Sequence, residues 1–253
     1  MPTSAPDDFD IPLPLGPGVR ILARHATGLV ALEKPVGIRS HPNDAEADPH
    51  ALLVAPYDES VQAFDLPHGG EAHLIHRLDA ATSGVILLAL NADLAEAARQ
   101  GFADRTVEKT YQALVFGVPR QRRAQWEDRL RIRRQNGHQR AEPAADGAPA
   151  LCAMRSLRPI PGTPIMTRLE LHPQTGRTHQ LRIQCSLRQL PIVGDAVYGD
   201  FQRNRQLQRA TGRDRLYLHA ERLKVRLRWR GQPIQFEAHS PLPAEFEHPR
   251  SKV

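Results

Sequence analysis

The chain has 253 residues, 40% of them apolar, and a formal net charge of +6. That supports one large domain or two modest ones with a buried core. No apolar run approaches the roughly 18–20 residues of a membrane helix, and the start MPTSAPDDFD has neither the basic nor the apolar part of a secretory signal, so a cytoplasmic protein without membrane contact is expected.

Arginine greatly outnumbers lysine. Guanidinium forks match phosphate oxygens, so this balance suits a polyanionic partner. The two cysteines, Cys152 and Cys185, lie far apart, and no Cys or His pair has zinc-ligand spacing; His172 and His179 lack a third ligand in sequence. Two free thiols and no metal are expected.

Residues 1–18 are proline-rich and aperiodic, which predicts a flexible tail. Val19–Gly37 predicts two short strands with a turn near Thr27-Gly28. Residues 38–72, rich in Pro, Asp and His, predict a loop-rich connection with one helix near 50–63. Gly84–Leu90, GVILLAL, reads as a buried strand. Asn91 can cap a helix with Leu94, Ala98 and Phe102 at helical spacing. Val107–Gly117 reads as a strand closed by glycine.

Residues 119–149 hold Arg120, Arg122, Arg123, Arg129, Arg131, Arg133, Arg134 and Arg140, with only Glu127 and Asp128 before the polar tract EPAADGAP at 142–149. This predicts a basic hairpin or insertion with a mobile tip, open to RNA contact or solvated without a role. Met166–Leu171 alternates as a strand, Gln174-Thr175-Gly176 is a turn, and Thr178 can cap a helix reaching about Leu190, where Pro191 ends it. In Leu223–Arg230, LKVRLRWR, the apolar residues face one way and the cations the other. The simpler reading of that cationic side is a solvated sheet face. Together the elements predict an α+β fold with a mixed, mostly antiparallel central sheet and flanking helices. The domain itself is expected over 19–246, with a C-terminal tail at 247–253.

The segment HRLDAATSG, His76–Gly84, places Asp79 in a tight loop running into the buried strand, where a rigid fold holds a reacting group. With it, LVALEKPVGIRSHP (29–42), EKTYQALVFG (108–117), TGRTHQLRIQCSLRQLPIVGDAVYG (175–199) and LYLHAERL (216–223) stand in the order of the sequence blocks of a known family. The chain resembles the RluA-type RNA pseudouridine synthases over most of residues 29–224.

The resemblance implies a pseudouridine synthase-like catalytic domain. It would isomerise uridine to pseudouridine within tRNA or rRNA, with the base flipped out and without cofactor or metal. It makes Asp79 the catalytic aspartate, either attacking the anomeric carbon or taking a ribose proton. Arg182 matches the basic residue paired with that aspartate, and Arg177 is a second candidate. Tyr111 matches the active-site tyrosine, and Leu218 an apolar residue of the base pocket. Arg77 resembles the arginine that enters the RNA stack. His76 belongs to the same RNA-facing segment, where it and Thr82-Ser83 more simply shape the loop. Arg129, Arg131, Arg133 and Arg134 would add RNA contacts, since the small N-terminal RNA-binding domain of some relatives is not expected here. A monomer is expected.

Two other readings use the same residues. A glycosidase would need a second carboxylate or an activated water, and no acid near position 79 offers one. A non-catalytic RNA-binding protein on the same scaffold would have no use for Asp79, Tyr111 and Arg182 together.

Overall fold

The structure is a computed structural model that describes residues 11–135 and 138–252. Residues 1–10 of the expected N-terminal tail, 136–137 within the expected basic hairpin or insertion and Val253 of the expected C-terminal tail lie outside the described residues. The described residues form thirteen strands and three α-helices, the α+β class expected. The chain divides into two compact units, one of residues up to Val107 with Arg222–Ser240, the other of Glu108–Glu221 with Pro241–Val253.

In the first unit, β1 (Arg20–Arg24) and β2 (Leu29–Lys34) form the expected antiparallel hairpin. β2 continues antiparallel to β6 (Ser83–Ala89), from Leu29 opposite Ala89 to Lys34 opposite Gly84. Every residue of β6 is buried, as its unbroken apolar run demands of a strand covered on both faces. Helix α1 (Ala92–Ala103) starts where expected: the Asn91 side chain accepts from the Leu94 amide at 3.2 Å. Its Leu94, Ala95 and Ala98 share one apolar core with β2 and β6 residues.

The helix expected near 50–63 does not form. That stretch instead holds β3 (Tyr57–Asp58) and β4 (Ala63–Asp65), a small hairpin with Tyr57 opposite Phe64, followed by β5 (Glu71–Leu74). Two features oppose a helix. Pro56 removes a backbone donor from its middle. Asp58 accepts from the Ser60 amide at 2.8 Å and hydroxyl at 2.6 Å, a local turn that competes with helical bonding.

Two further strands close this unit. β12 (Leu218–Trp229) begins five residues before the expected start. It pairs antiparallel with β13 (Gln232–His239) through a two-residue turn, Arg230-Gly231, both at positive φ. Positive φ at both central residues is the geometry whose twist matches a hairpin. Leu223 and Val225 are buried while Arg226 and Arg228 are exposed, as the alternation requires. Arg222 and Lys224 face Glu237 on β13, at 3.6 and 3.9 Å.

The second unit is ordered β7-β11-β10-β8-β9, with every neighbour in this series antiparallel. β7 spans Glu108–Phe116, β8 Arg123–Gln135, β9 His138–Pro143, β10 Ala148–Ile160 and β11 Met166–Pro173. The arginine-rich stretch is thus a hairpin whose strands belong to the sheet, anchored by buried Trp126, Leu130 and Ala141. The polar tract after it is a packed turn. The Gly147 amide donates to the Ala144 carbonyl, and a Cβ on Gly147 would lie 2.6 Å from the Leu130 backbone.

Helix α2 (Gln180–Leu187) starts one residue later than expected. His179 stands at the cap with φ 54° and no side-chain cap bond. The Gln180 side chain instead closes the turn before the helix, accepting from the Arg177 amide at 3.1 Å. At the other end, Gln189 adopts φ 57°, and the Leu190 amide reaches the Cys185 carbonyl while that of Gln189 reaches Ser186. This is a Schellman ending, so the helix stops before the expected Leu190. Helix α3 (Phe201–Thr211) is capped by Asp200.

Candidate active site

The first unit builds a seat for the loop that carries Asp79. Lys34, at the end of β2, has no solvent exposure. Its ammonium donates to the carbonyls of Pro35 (3.0 Å), Ile38 (2.7 Å) and Ala80 (3.1 Å). The Gly37 amide donates to the same Ala80 carbonyl at 2.8 Å. Ser40 grips the other flank: its hydroxyl donates to the Leu78 carbonyl at 2.7 Å and accepts from the Leu78 amide at 3.0 Å. Asp79 lies between, half-buried, its carbonyl accepting from the Thr82 amide at 2.9 Å. Thr82 and Ser83 are buried, which suits shaping the loop rather than reacting. Lys34 and Ser40 had no role in the sequence reading. The signal was a lysine that follows the apolar run Leu29–Leu32 and stands directly before a proline.

His76 and Arg77 differ although adjacent. The His76 Nε2 accepts from the Leu87 amide at 3.2 Å, and its ring stacks on Phe102 at 4.9 Å. A nitrogen that accepts carries no proton, so the neutral ring holds its hydrogen on Nδ1. His76 thereby ties the loop to β6 and α1. Arg77 is exposed, its guanidinium 3.4 Å from His41 Nε2. His41 donates from Nδ1 to the Pro42 carbonyl and stacks on Tyr57 at 4.9 Å, which leaves Nε2 able to accept from Arg77.

The second unit carries the other candidates. Tyr111, half-buried on β7, stands opposite Leu171 of β11. Leu218 is 3% exposed at the start of β12. Arg182 is no surface helix arginine: it is buried and forms a two-pronged ion pair with Asp195, Nε to Oδ2 at 2.9 Å and Nη2 to Oδ1 at 2.8 Å. Asp195, fully buried, also accepts from the Val197 and Tyr198 amides. Burial raises its carboxyl pKa, but the Arg182 fork and the two amides outweigh it and hold the group below its ordinary value. Asp195 went unassigned in the sequence reading, although a lone acid in PIVGDAVYG was a visible signal. Exposed Arg177 donates from Nε to the Pro149 carbonyl at 3.1 Å.

Half of the buried residues of helix α2 are polar: Gln180, Arg182 and Gln184. Gln180 accepts from the Thr175 hydroxyl (2.7 Å) and donates to the Leu151 carbonyl (3.0 Å), while Gln184 donates to Asp128 (2.8 Å) and the Ala150 carbonyl (3.0 Å). Each bond satisfies a group whose burial would otherwise be costly.

Arg129, Arg131, Arg133 and Arg134 are all exposed along β8. Arg131 pairs with Glu142 at 2.9 Å and Asp146 at 3.4 Å, and Arg133 with Glu142 at 3.8 Å. Among the described residues Arg129 and Arg134 have no carboxylate partner. The polar tract's acids therefore temper the charge of this strand.

Cys152 and Cys185 are buried and unpaired, with burial pushing the Cys152 thiol up to about 12. Among the described residues no group of three His, Cys, Asp or Glu side chains could hold a metal ion, and no helix is long and apolar enough to cross a membrane.

Replacing Ser40 by alanine strips Leu78 of both side-chain hydrogen bonds. A loss of about 1–3 kcal/mol is expected in urea unfolding, with faster amide exchange across residues 78–82. Asp195→Asn removes the two-pronged partner of buried Arg182 and is expected to cost about 3 kcal/mol; a change under about 1 kcal/mol would show this ion pair to be a minor contributor. A carboxylate with a lowered folded pKa adds stability above its unfolded pKa of about 3.9 and loses it as pH falls through the folded value. The same substitution should therefore flatten the loss of stability below about pH 4.

Against known proteins, the family model for RNA pseudouridylate synthase matches residues 28–187. The chain is 31% identical over 218 residues to tRNA pseudouridine synthase C of Pectobacterium carotovorum subsp. carotovorum, covering 83% of this chain and 56% of that protein. It is 29% identical to tRNA pseudouridine synthase C of Salmonella typhi, covering 83% of this chain and 81% of that protein. This chain thus spans little more than half the length of the first relative. Among solved structures, human RNA Pseudouridylate Synthase Domain Containing 4 aligns over 90% of both chains, at 26% identity and a TM-score of 0.64. The family match covers well over half of the chain, including the Asp79 loop and Arg182; the chain belongs to the RluA-type family of RNA pseudouridine synthases, a family of isomerases.

Proposed function

We propose that this protein converts a uridine within structured RNA to pseudouridine, with Asp79 as the catalytic residue. The observation that carries the reading is the braced loop: a half-buried carboxylate on a backbone fixed by Lys34 and Ser40 is preorganised for one demanding step. The reaction breaks the bond between ribose C1′ and uracil N1, the base turns, and C1′ bonds to C5. The C5 proton leaves and N1 gains one, so the RNA keeps its mass and no donor, acceptor or water is consumed. Asp79 serves either by attacking C1′ or by taking the C2′ proton to give a glycal.

Arg182 is proposed to keep the Asp79 carboxylate ionised, since a nearby cation offsets the effect of burial; Arg177 is the second candidate for that role. Tyr111 would stack on the uracil and exchange protons with it. Leu218 would pack against the base. A uridine in folded RNA must be extruded at a cost of a few kcal/mol, and Arg77 is proposed to fill the vacated place, an assignment its exposure supports. His76 is assigned to the RNA-facing loop as its anchor. The names of the Pectobacterium and Salmonella relatives make tRNA the first substrate to test, with rRNA second. The protein is proposed to act in the cytoplasm as a monomer, without metal or cofactor.

The test is a pseudouridine map of total RNA from cells lacking the gene, complemented with the wild type or with Asp79→Asn. One or a few positions restored only by the wild type are expected. Restoration by Asp79→Asn would remove Asp79 from the chemistry, and no difference at any uridine would leave RNA binding without catalysis. A second prediction concerns the arginine strand. Replacing Arg129, Arg131, Arg133 and Arg134 by glutamine should weaken RNA binding and reduce its salt slope by up to about 0.7 per lost single-strand phosphate contact; an unchanged slope would make the strand a solvated face.

A further inference from the structure

A cleft of about 460 Å³ opens in the second unit between the β7–β8 connection, the start of β8 and the C-terminal end of α2. None of the residues given a catalytic or RNA-contact role above lines it. Its lining holds two arginines, Arg120 and Arg188, three glutamines, Gln121, Gln125 and Gln189, and no carboxylate. Trp126 and Met154 contribute apolar surface.

Two features mark it as built rather than incidental. The first is Arg188. Its guanidinium lies 4.7 Å from the Trp126 ring centroid, and its Nη1 donates to Asp128 at 2.9 Å and to the Gln184 carbonyl at 3.1 Å. A guanidinium normally free to rotate is here a fixed plane. The second is Gln189. It occupies the left-handed position that ends α2, at φ 57°. Glycine is the usual residue there, because an L side chain is strained in this conformation. The chain accepts that strain and places exposed Gln189 in the cleft lining. Strained residues of this kind gather at binding sites.

The chemistry selects one class of ligand. An amide offers a donor and an acceptor together, which suits the edge of a nucleobase. A held guanidinium plane offers a stacking surface for a base. Arg120 is exposed and has no carboxylate partner among the described residues, so it is available to a phosphate. The volume falls in the range of about 300–1,000 Å³ typical of small-molecule sites, and a concave site of this size admits a splayed-out base rather than a duplex.

We infer that this cleft binds one unpaired nucleotide of the RNA substrate, distinct from the uridine that reacts. The inference rests on the reading of RNA as substrate and adds a second point of RNA recognition to it.

The test uses the full chain and total cellular RNA. Gln189→Gly relieves the backbone strain, so its thermal midpoint should equal or exceed that of the wild type. Combined with Arg120→Ala it should weaken RNA affinity about tenfold, the effect of losing about 1.4 kcal/mol of contacts. Ultraviolet cross-linking of the wild type should leave a nucleotide adduct on the peptides holding Gln125-Trp126 or Arg188-Gln189. Affinity within twofold of the wild type, no adduct on either peptide, or no RNA bound at all would overturn the inference. Pseudouridine formation by the wild type is scored separately. Product with unaltered binding in the double variant removes the cleft alone, whereas weakened binding without product keeps the cleft and removes the isomerase reading.

Discussion

A lysine buried out of reach of water governs the first unit. An ammonium in that position loses its hydration, and the loss is tolerable only where fixed oxygens replace it. Lys34 finds them in the carbonyls of Pro35, Ile38 and Ala80. The first two hold the turn that follows β2, and the third belongs to the residue after Asp79. One side chain thus ties the end of an inner strand to the loop with the candidate catalytic group. Ser40 adds a reciprocal pair of bonds to Leu78, on the other flank of Asp79. The aspartate needs no long side-chain reach, because its backbone is held on both sides.

The second unit meets a similar demand with amides and an ion pair. Helix α2 carries Gln180, Arg182 and Gln184 into the interior, where apolar residues would be the easier choice. Each reaches specific partners on neighbouring segments: Thr175 and Leu151, Asp195, and Asp128 with Ala150. Burying an ion pair gains little net stability over apolar packing. Its worth lies in geometry, since a fork bonded at two points fixes where the Arg182 plane lies.

Strands with strong apolar character were legible in the sequence. GVILLAL announced β6, and Met166–Leu171 announced most of β11. Asn91 announced the start of α1. The site was legible as motif but not as support, for a reason that is physical. Lys34 and Ala80 stand 46 positions apart, Ser40 and Leu78 stand 38 apart, and no local pattern encodes such contacts. At 50–63 composition alone favours a helix, but Pro56 and the Asp58–Ser60 turn oppose one. Thr178 looks like a cap because hydroxyl residues favour that place, but α2 begins one residue later, after His179, which makes no side-chain cap bond. β13 is faint in the sequence although Ile234, Phe236 and Ala238 alternate, because the Arg230-Gly231 turn lacks the usual asparagine or aspartate before glycine.

The wide spacing of the bonds around Asp79 also sets when the site comes into being. Closing loops of about 40 residues is entropically costly and comes after local structure. Residues 76–83 cannot take their final course until β2 and β6 have zipped together and Lys34 has met Ala80. During synthesis, a chain that has emerged only as far as the first block has no formed aspartate loop. The candidate catalytic loop is therefore assembled only as the fold around it closes, and a partly folded chain carries exposed arginines but no organised Asp79 carboxylate.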